Sequence, residues 1–197
     1  MLGFIIKRIF FISAIIVISP LIIFRWLGQH LLGSQKGKVF CGIAEFLSLC
    51  PSFIGIYLRK AYYWSACTNV SPDVQFLFGS MLTHRENVIR SGVVIGHYTF
   101  IGFSDIEENV QLGARVSIIS GRYQHGRPNH RVQEQDHEPE HEIIHIGKNS
   151  WIGQDAVILA NIGENCTVGA GSVVFKDIPD NTTVLGNPAR KVSMKQN

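Results

Sequence analysis

Histidine dominates the part of this sequence that could do chemistry. Five of the eight histidines fall in the run ISGRYQHGRPNHRVQEQDHEPEHEIIH, residues 119–145. An imidazole titrates near neutrality, so it can take a proton from a reacting group or hold a divalent metal. The last five residues, HEIIH, have the spacing by which a helix turns two imidazoles toward one zinc, with a glutamate beside the bound water. Their surroundings oppose that reading. Pro139 stands two residues before His141, and Ile143, Ile144 and Ile146 are β-branched, which favours extended chain over helix. In a strand, positions 141 and 145 share a face but lie about 13 Å apart, too far for one zinc. The stretch therefore predicts the return of a loop into a strand.

The elements that must carry these groups show in a beat of six. Ile89, Ile95 and Ile101 are six apart; after a five-residue step, Ile106, Leu112 and Ile118 continue. Beyond residues 119–145, Ile146, Ile152 and Ile158 resume, and after a four-residue step Ile162, Val168 and Val174 complete the series. Glycine follows seven of these: Gly96, Gly102, Gly113, Gly147, Gly153, Gly163 and Gly169. Small or β-branched residues recur four positions on, at Thr99, Val110, Val116, Ser150, Ala156 and Ser172. No α-helix has this period. A parallel β-helix does, with one short strand and one corner per hexad and three hexads per triangular coil. The aliphatic side chains then stack inside the prism, and glycine is expected at corners where φ turns positive. Residues 68–184 suffice for five or six coils.

Two quoted stretches carry a family likeness. IHIGKNSWIGQDAVIL (144–159) and IGENCTVGAGSVVFKDIPDNTTVLGNPARKV (162–192) resemble the C-terminal half of the maltose, galactoside and nodulation acetyltransferases, which are hexapeptide-repeat acyltransferases. The likeness covers residues 68–192 and rests on W-I-G, G-A-G-S-V-V, K-D-I-P and G-N-P-A-R in combination. It implies a left-handed β-helix, a homotrimer, and acetyl-CoA held between neighbouring subunits, with no metal. The sequence departs from the family's pattern at one place. The family writes a proline-glycine pair between the hexads at 158 and 164, and here Ala160-Asn161 runs straight into Ile162-Gly163. An altered coil register is expected there, with altered contacts to pantetheine.

The same resemblance implies the site. The family's base lies early in a loop of this kind, which places it on His125. His84, in LTHRENV, resembles a residue lining the same cleft. A carboxylate or backbone carbonyl should orient the base, with Glu107 and Glu108 as candidates. Gln154 follows W-I-G, where a polar side chain approaches pantetheine; Ala170 leaves room for that arm; Phe175 and Lys176 lie toward the adenine end. Lys176 and Arg190 are candidates for the coenzyme phosphates, and Trp151 borders the cleft. His130, His137 and His141 are read as solvated, and Cys166 as a packed or exposed thiol. The implied activity is O-acetyl transfer from acetyl-CoA to a sugar hydroxyl, with transfer to an amine or of a longer acyl chain as variants. Two other classes compete. A γ-class carbonic anhydrase would hold zinc with His84, His125 and His130, although its histidine pair sits within hexads. A β-helix binding module would do no chemistry.

The first third has another character. Hydrophobic residues make up 46% of the chain and charged ones 17%, and the apolar excess is N-terminal. Residues 9–24 carry no charge, with Lys7 and Arg8 before and Arg25 after; with their apolar neighbours they approach the roughly 20 residues that span a bilayer. A second apolar stretch, 39–58, is broken by Glu45 and Pro51 and ends in Arg59, Lys60, Tyr62, Tyr63 and Trp64, a composition expected at lipid headgroups. Residues 1–65 are thus read as a membrane-associated helical region: a spanning helix with an interfacial one, a hairpin entering and leaving on one side, or two helices packed on the main domain. Residues 66–192 form the β-helix with its loop at 119–145, and 193–197 a tail. A membrane element points to a lipid-linked glycan or glycolipid as acceptor, and cytosolic acetyl-CoA to a catalytic domain facing the cytoplasm. The net charge of +3 and the lack of a basic stripe argue against nucleic acid. Four cysteines without a C-x-x-C pair argue against a disulfide framework.

Overall fold

A computed structural model describes residues 2–31, 36–120 and 142–192. Three helices, α1 (Leu2–Leu31), α2 (Lys36–Ser48) and α3 (Ser52–Ala66), precede sixteen short strands. The strands wind into a parallel β-helix with three faces. Asn69–Val70, Val88–Ile89, Ser104–Ile106 and Ile144–Ile146 stack on the first face. The second face runs from Gln75–Phe76 to Thr183–Leu185 and ends in an antiparallel strand, Arg190–Lys191; the third runs from Met81–Leu82 to Val173–Val174. The hexads predicted from sequence are these strands. The inward residues, from Phe76 and Leu82 through Ile89, Ile95 and Ile101 to Val174, and Val184 after them, are at most 3% exposed, while Ile178 in the last, partial coil is half-buried. They form five complete coils and part of a sixth.

Every step between the first and second faces, and between the second and third, is six residues. All departures fall on the third-to-first corner. Seven residues separate Leu82 from Ile89, five Ile101 from Ile106, and four Ile158 from Ile162 and Val174 from Ile178; the loop of residues 119–145 leaves at the same corner. The four-residue step does not disturb register, contrary to the expectation. Ile162 bridges in parallel to both Ile146 and Ile178, while Val157–Ile158 pairs with Val173–Val174. A side chain replaces the missing backbone: the N–H of His145 donates to Asn161 Oδ1 (2.9 Å), and the N–H of Asn161 donates to Asp177 Oδ1 (2.9 Å).

The repeated glycine serves a different purpose from the one expected. None of the seven glycines after the inward residues has positive φ. A Cβ on Gly96 would lie 2.2 Å from Gly113 O, and one on Gly153 would lie 2.5 Å from Ala170 N. Glycine is needed because the next coil's backbone closes on that position. Positive φ falls three residues after the inward side chain, at Gly92, Asn109, Asn149, Asn165 and Asn181 on one corner and at Gly79, Tyr98, Arg115, Asp155 and Gly171 on the next. Asparagine tolerates this region best among non-glycine residues. Its amides also stack, Asn109 Nδ2 donating to Asn149 Oδ1 (3.3 Å) and Asn149 Nδ2 to Asn165 Oδ1 (3.2 Å). The small residues four positions on are buried and satisfied: Thr99 Oγ1 donates to Gly113 O (2.9 Å) and Ser150 Oγ to Gly163 O (2.8 Å).

The open N-terminal end of the coil is capped by α2 and α3. Along α2, Phe40, Ala44 and Leu47 are buried, the i, i+4, i+7 spacing of one helix face. Cys41 Sγ lies 3.6 Å from Thr83 O, and the N–H of Gly79 donates to Ser48 O (3.0 Å), so α2 lies across the end of the third face. Arg59, Tyr62 and Tyr63 were expected at lipid headgroups and are instead fully buried in this cap. Arg59 donates from Nε to Phe76 O (3.0 Å) and from Nη1 to Leu47 O (2.9 Å) and Cys50 O (2.8 Å). It thereby satisfies carbonyls that the end of α2 leaves open. Burial lowers the Arg59 pKa and raises that of Tyr63; Tyr63 Oη accepts from the N–H of Leu82 (3.1 Å) and Tyr62 Oη donates to Phe40 O (2.9 Å). An aromatic and a guanidinium body with polar tips suits a coil end, where apolar filling and open backbone groups occur together.

Candidate functional site

The third-to-first corner gathers the groups with chemical potential. On the first coil, His84 Nδ1 lies 2.8 Å from Thr83 Oγ1, which in turn lies 3.2 Å from Ile101 O. With the hydroxyl proton on that carbonyl, Thr83 accepts from Nδ1–H, and Nε2 becomes the lone-pair nitrogen, the tautomer of a base. The ring stacks on Phe103 of the second coil (centroids 5.6 Å, 21°). On the third coil Ser120 anchors the loop base. Its Oγ accepts from the N–H of Phe103 (2.8 Å), and its carbonyl from the N–H of Glu142 (3.2 Å), where the chain returns. Below that return a groove of about 440 Å³ runs along the corner of the last two complete coils, lined by Glu142, Ile143, Ile144, Leu159, Ala160, Asn161, Phe175, Lys176 and Asp177. Lys176, Phe175 and Arg190 line a smaller recess at its far end.

The other residues expected at the site lie elsewhere in the chain. Gln154 and Ala170 occupy the second-to-third corner on successive coils; the N–H of Gly171 donates to Gln154 O (2.8 Å), and Gln154 Nε2 donates to Asp155 Oδ2 (3.1 Å). Arg115 makes a two-pronged pair with Asp155 (2.5 and 2.8 Å), and this bond holds the Asp155 carboxyl below its ordinary value. Trp151 stands on the outer surface of the second face, 47% exposed. Glu107 and Glu108 follow the first face: Glu107 Oε2 accepts from the N–H of Lys148 (3.0 Å), and Glu108 Oε1 lies 3.8 Å from Arg90. One chain thus gathers His84, Phe175, Lys176 and Arg190 along one edge and Gln154 with Ala170 along another.

His125, His130, His137 and His141 lie outside the described residues. His145 is in the strand Ile144–Ile146, as the reading of HEIIH predicts, with Nδ1 3.7 Å from Asp105 Oδ2 on the first face. Among the described residues no group of three or more His, Cys, Asp or Glu side chains converges as a metal site would. Cys166 is 1% exposed, with Sγ 3.1 Å from Pro179 O, the packed thiol expected of it. Burial pushes Cys67 up to about 12, so that thiol is inert at neutral pH. Thr83, Phe103 and Leu159 were missed from sequence, while Ala160 and Asn161 were marked only as a change of register. The signal for Phe103 and Leu159 was the short step in the beat at 101–106 and at 158–162, which marks the corner that bends differently.

A six-residue beat, three parallel faces and a loop inserted at one corner define a hexapeptide-repeat β-helix. Residues 143–176 match the family model described as the hexapeptide repeat of succinyl-transferase. No curated protein sequence matches the chain. Among solved structures, a maltose O-acetyltransferase from Clostridium difficile 630 is 23% identical, with 82% of this chain and 88% of that one covered at a TM-score of 0.52. A variant of AntD, an N-acyltransferase from Bacillus cereus in complex with dTDP and coenzyme A, is 18% identical over 66% of this chain and 78% of that one, TM-score 0.52. The chain carries the fold of these proteins, as the sequence resemblance implied.

Proposed function

We propose that the chain is an acetyl-CoA-dependent O-acetyltransferase acting on a sugar hydroxyl. The observation that carries this reading is the 440 Å³ groove at the foot of the histidine-bearing loop, on the one corner whose length varies. The hexapeptide-repeat match and the same fold in a coenzyme A-bound acyltransferase support it. In this reading His125 takes the proton of the acceptor hydroxyl as the oxygen attacks the thioester carbon. The C–S bond breaks, and the proton passes to the leaving thiolate, so no acyl-enzyme forms. His84, fixed by Thr83 and Phe103, lines the acceptor side.

The active form is a homotrimer, in which the Gln154 and Ala170 edge of one copy lies against the Phe175 and Lys176 edge of the next. The two halves of the coenzyme site, separate within one chain, meet there. Lys176 and Arg190 hold phosphates, Ala170 leaves room for pantetheine, and Trp151 borders the cleft. The helix Ile5–Gly28 is long and apolar enough to enter a bilayer, with 17% of its most apolar window buried in the protein. It supports membrane attachment, and with it a lipid-linked glycan or glycolipid as acceptor; the use of cytosolic acetyl-CoA is what puts the catalytic domain on the cytoplasmic side. The test is acetyl transfer from radiolabelled acetyl-CoA to a panel of lipid-linked sugars by the full chain in nanodiscs. Label in the glycan is expected; coenzyme A that fails to bind at millimolar concentration would refute the reading.

A further inference from the structure

The order of layers at the N-terminal end fixes how the helices can meet lipid. On α3, Arg59, Tyr63 and Ala66 face the coil, while Phe53, Tyr57, Lys60 and Trp64 face α1. At 100° per residue these two sets lie roughly 120° apart around the helix. So α1 packs on a side of α3 that the coil does not use, and its far end, at Arg25, neighbours Tyr62, Cys67 and Arg85. Its Phe10 packs on Phe53 and Tyr57 (both 5.6 Å), its Phe11 on Trp64 (5.5 Å), and it meets α2 where Gly28 closes on Val39. Ala14, Ile18 and Gly28 face inward. The opposite face of α1 is a stripe of Ile5, Ile9, Ile12, Ile16, Ile23 and Leu27, each 43–67% exposed.

We propose that α1 lies in the plane of a lipid bilayer without crossing it, so that the β-helix stands on the membrane by its capped end. This rests on the membrane attachment proposed above and specifies its geometry. Because α2 lies across the coil end, and α1 packs on α3 at Phe10 and on α2 eighteen residues later at Gly28, α1 runs along that capped end. A crossing would drag α3, with Lys60, and α2, with exposed Glu45 and Lys38, into hydrocarbon beside it, at several kcal/mol of cost for each unpaired charge. Lying flat, the helix sinks its isoleucine stripe into the acyl layer. Phe46, Leu49, Phe53 and Ile54, 55–71% exposed around the α2–α3 turn, extend the same apolar surface. Lys60, over the rings of Phe11 and Tyr57 (5.6 and 5.8 Å), and half-exposed Trp26 then sit at headgroup level, where cations and indoles are favoured. The upright coil holds the groove roughly 25 Å from the lipid, three to four strand spacings plus one helix layer. An acceptor anchored in the same membrane must offer its hydroxyl at that height.

The test uses the full chain with epitope tags at both ends, produced in a bacterial host and exposed to protease in spheroplasts and in inverted inner-membrane vesicles. The expected result is a membrane-bound protein whose two tags are always cut from the same side. An N-terminal tag cut in spheroplasts while the C-terminal tag is protected would show a crossing and overturn the proposal while leaving membrane attachment intact. Recovery in the soluble fraction would overturn attachment itself. The double substitution Ile12→Glu with Ile16→Glu changes only exposed positions, so the melt should be unchanged while the soluble share rises at least tenfold; continued membrane retention would count against the stripe.

Discussion

Two kinds of corner share one prism, and they obey different rules. The first-to-second and second-to-third corners step by six, turn through positive φ at asparagine, glycine or a few other residues, and leave no slack between coils. The third-to-first corner has no positive-φ residue among those described, varies from four to seven residues, and carries the long insertion. Rigid corners hold the register; the variable one is where the chain can place a loop without disturbing the stack. A loop closing on itself costs little more as it lengthens, whereas a one-residue slip inside a hexad would turn an isoleucine outward and a polar neighbour inward.

The largest expected effect breaks the comparison on the functional side. His125→Ala should lower kcat by roughly two to four decades, the range for losing a general base, while assembly and coenzyme binding persist. Steady-state kinetics with sedimentation checks this, and unchanged turnover would remove His125 from the mechanism. Next comes the core. Ile152→Ala removes a fully buried side chain from the fourth coil and should cost about 2–5 kcal/mol in denaturant unfolding. Gly153→Ala, at a rigid corner, should cost about 1–3 kcal/mol because the new Cβ meets the backbone of the next coil. A proline-glycine pair inserted after Ala160, at the variable corner, should leave the melting temperature within a few degrees. If both changes proved equally damaging, the distinction between corners would fail.

How much of this was legible in the sequence follows from what repeats. The hexads were, because an inward aliphatic side chain every sixth residue is a demand that each coil makes again. The purpose of the glycines was not: the close approach comes from the next coil, 16 or more residues away in sequence, which local propensity cannot report. Arg59, Tyr62 and Tyr63 were misplaced for a related reason. Basic and aromatic residues ending an apolar segment suit a headgroup layer and the end of a β-helix equally well, since both join apolar filling to polar groups. Gln154 and Lys176 could be named from short motifs, but their assignment to different edges needed the winding itself.

Smaller effects sharpen the account. Asn149→Ala places alanine at φ 58° and breaks the amide stack, which should cost about 1–2 kcal/mol, while Asn149→Gly should cost less; thermal melts separate the two. Asp73 is held below the usual carboxylate value: burial works against this, and bonds from Ser71, Ser91 and the N–H of Gly92 outweigh it. A depressed folded pKa contributes stability above the unfolded value and loses it as pH falls through the folded one. Asp73→Asn should therefore weaken the first two coils at neutral pH and make no difference in acid, as melts from pH 7 down to about 2 would show.

In the proposed reaction, catalysis joins two edges from different copies of the chain. The most direct measurement mixes two inactive variants, His125→Ala on the loop edge and Ala170→Trp on the opposite edge, refolds or co-expresses them, and follows acetyl transfer. Random assortment into trimers gives about a quarter of the sites two intact edges, so activity near a quarter of wild type is predicted. Two variants that assemble together, each inactive alone, and recover no activity would contradict the account.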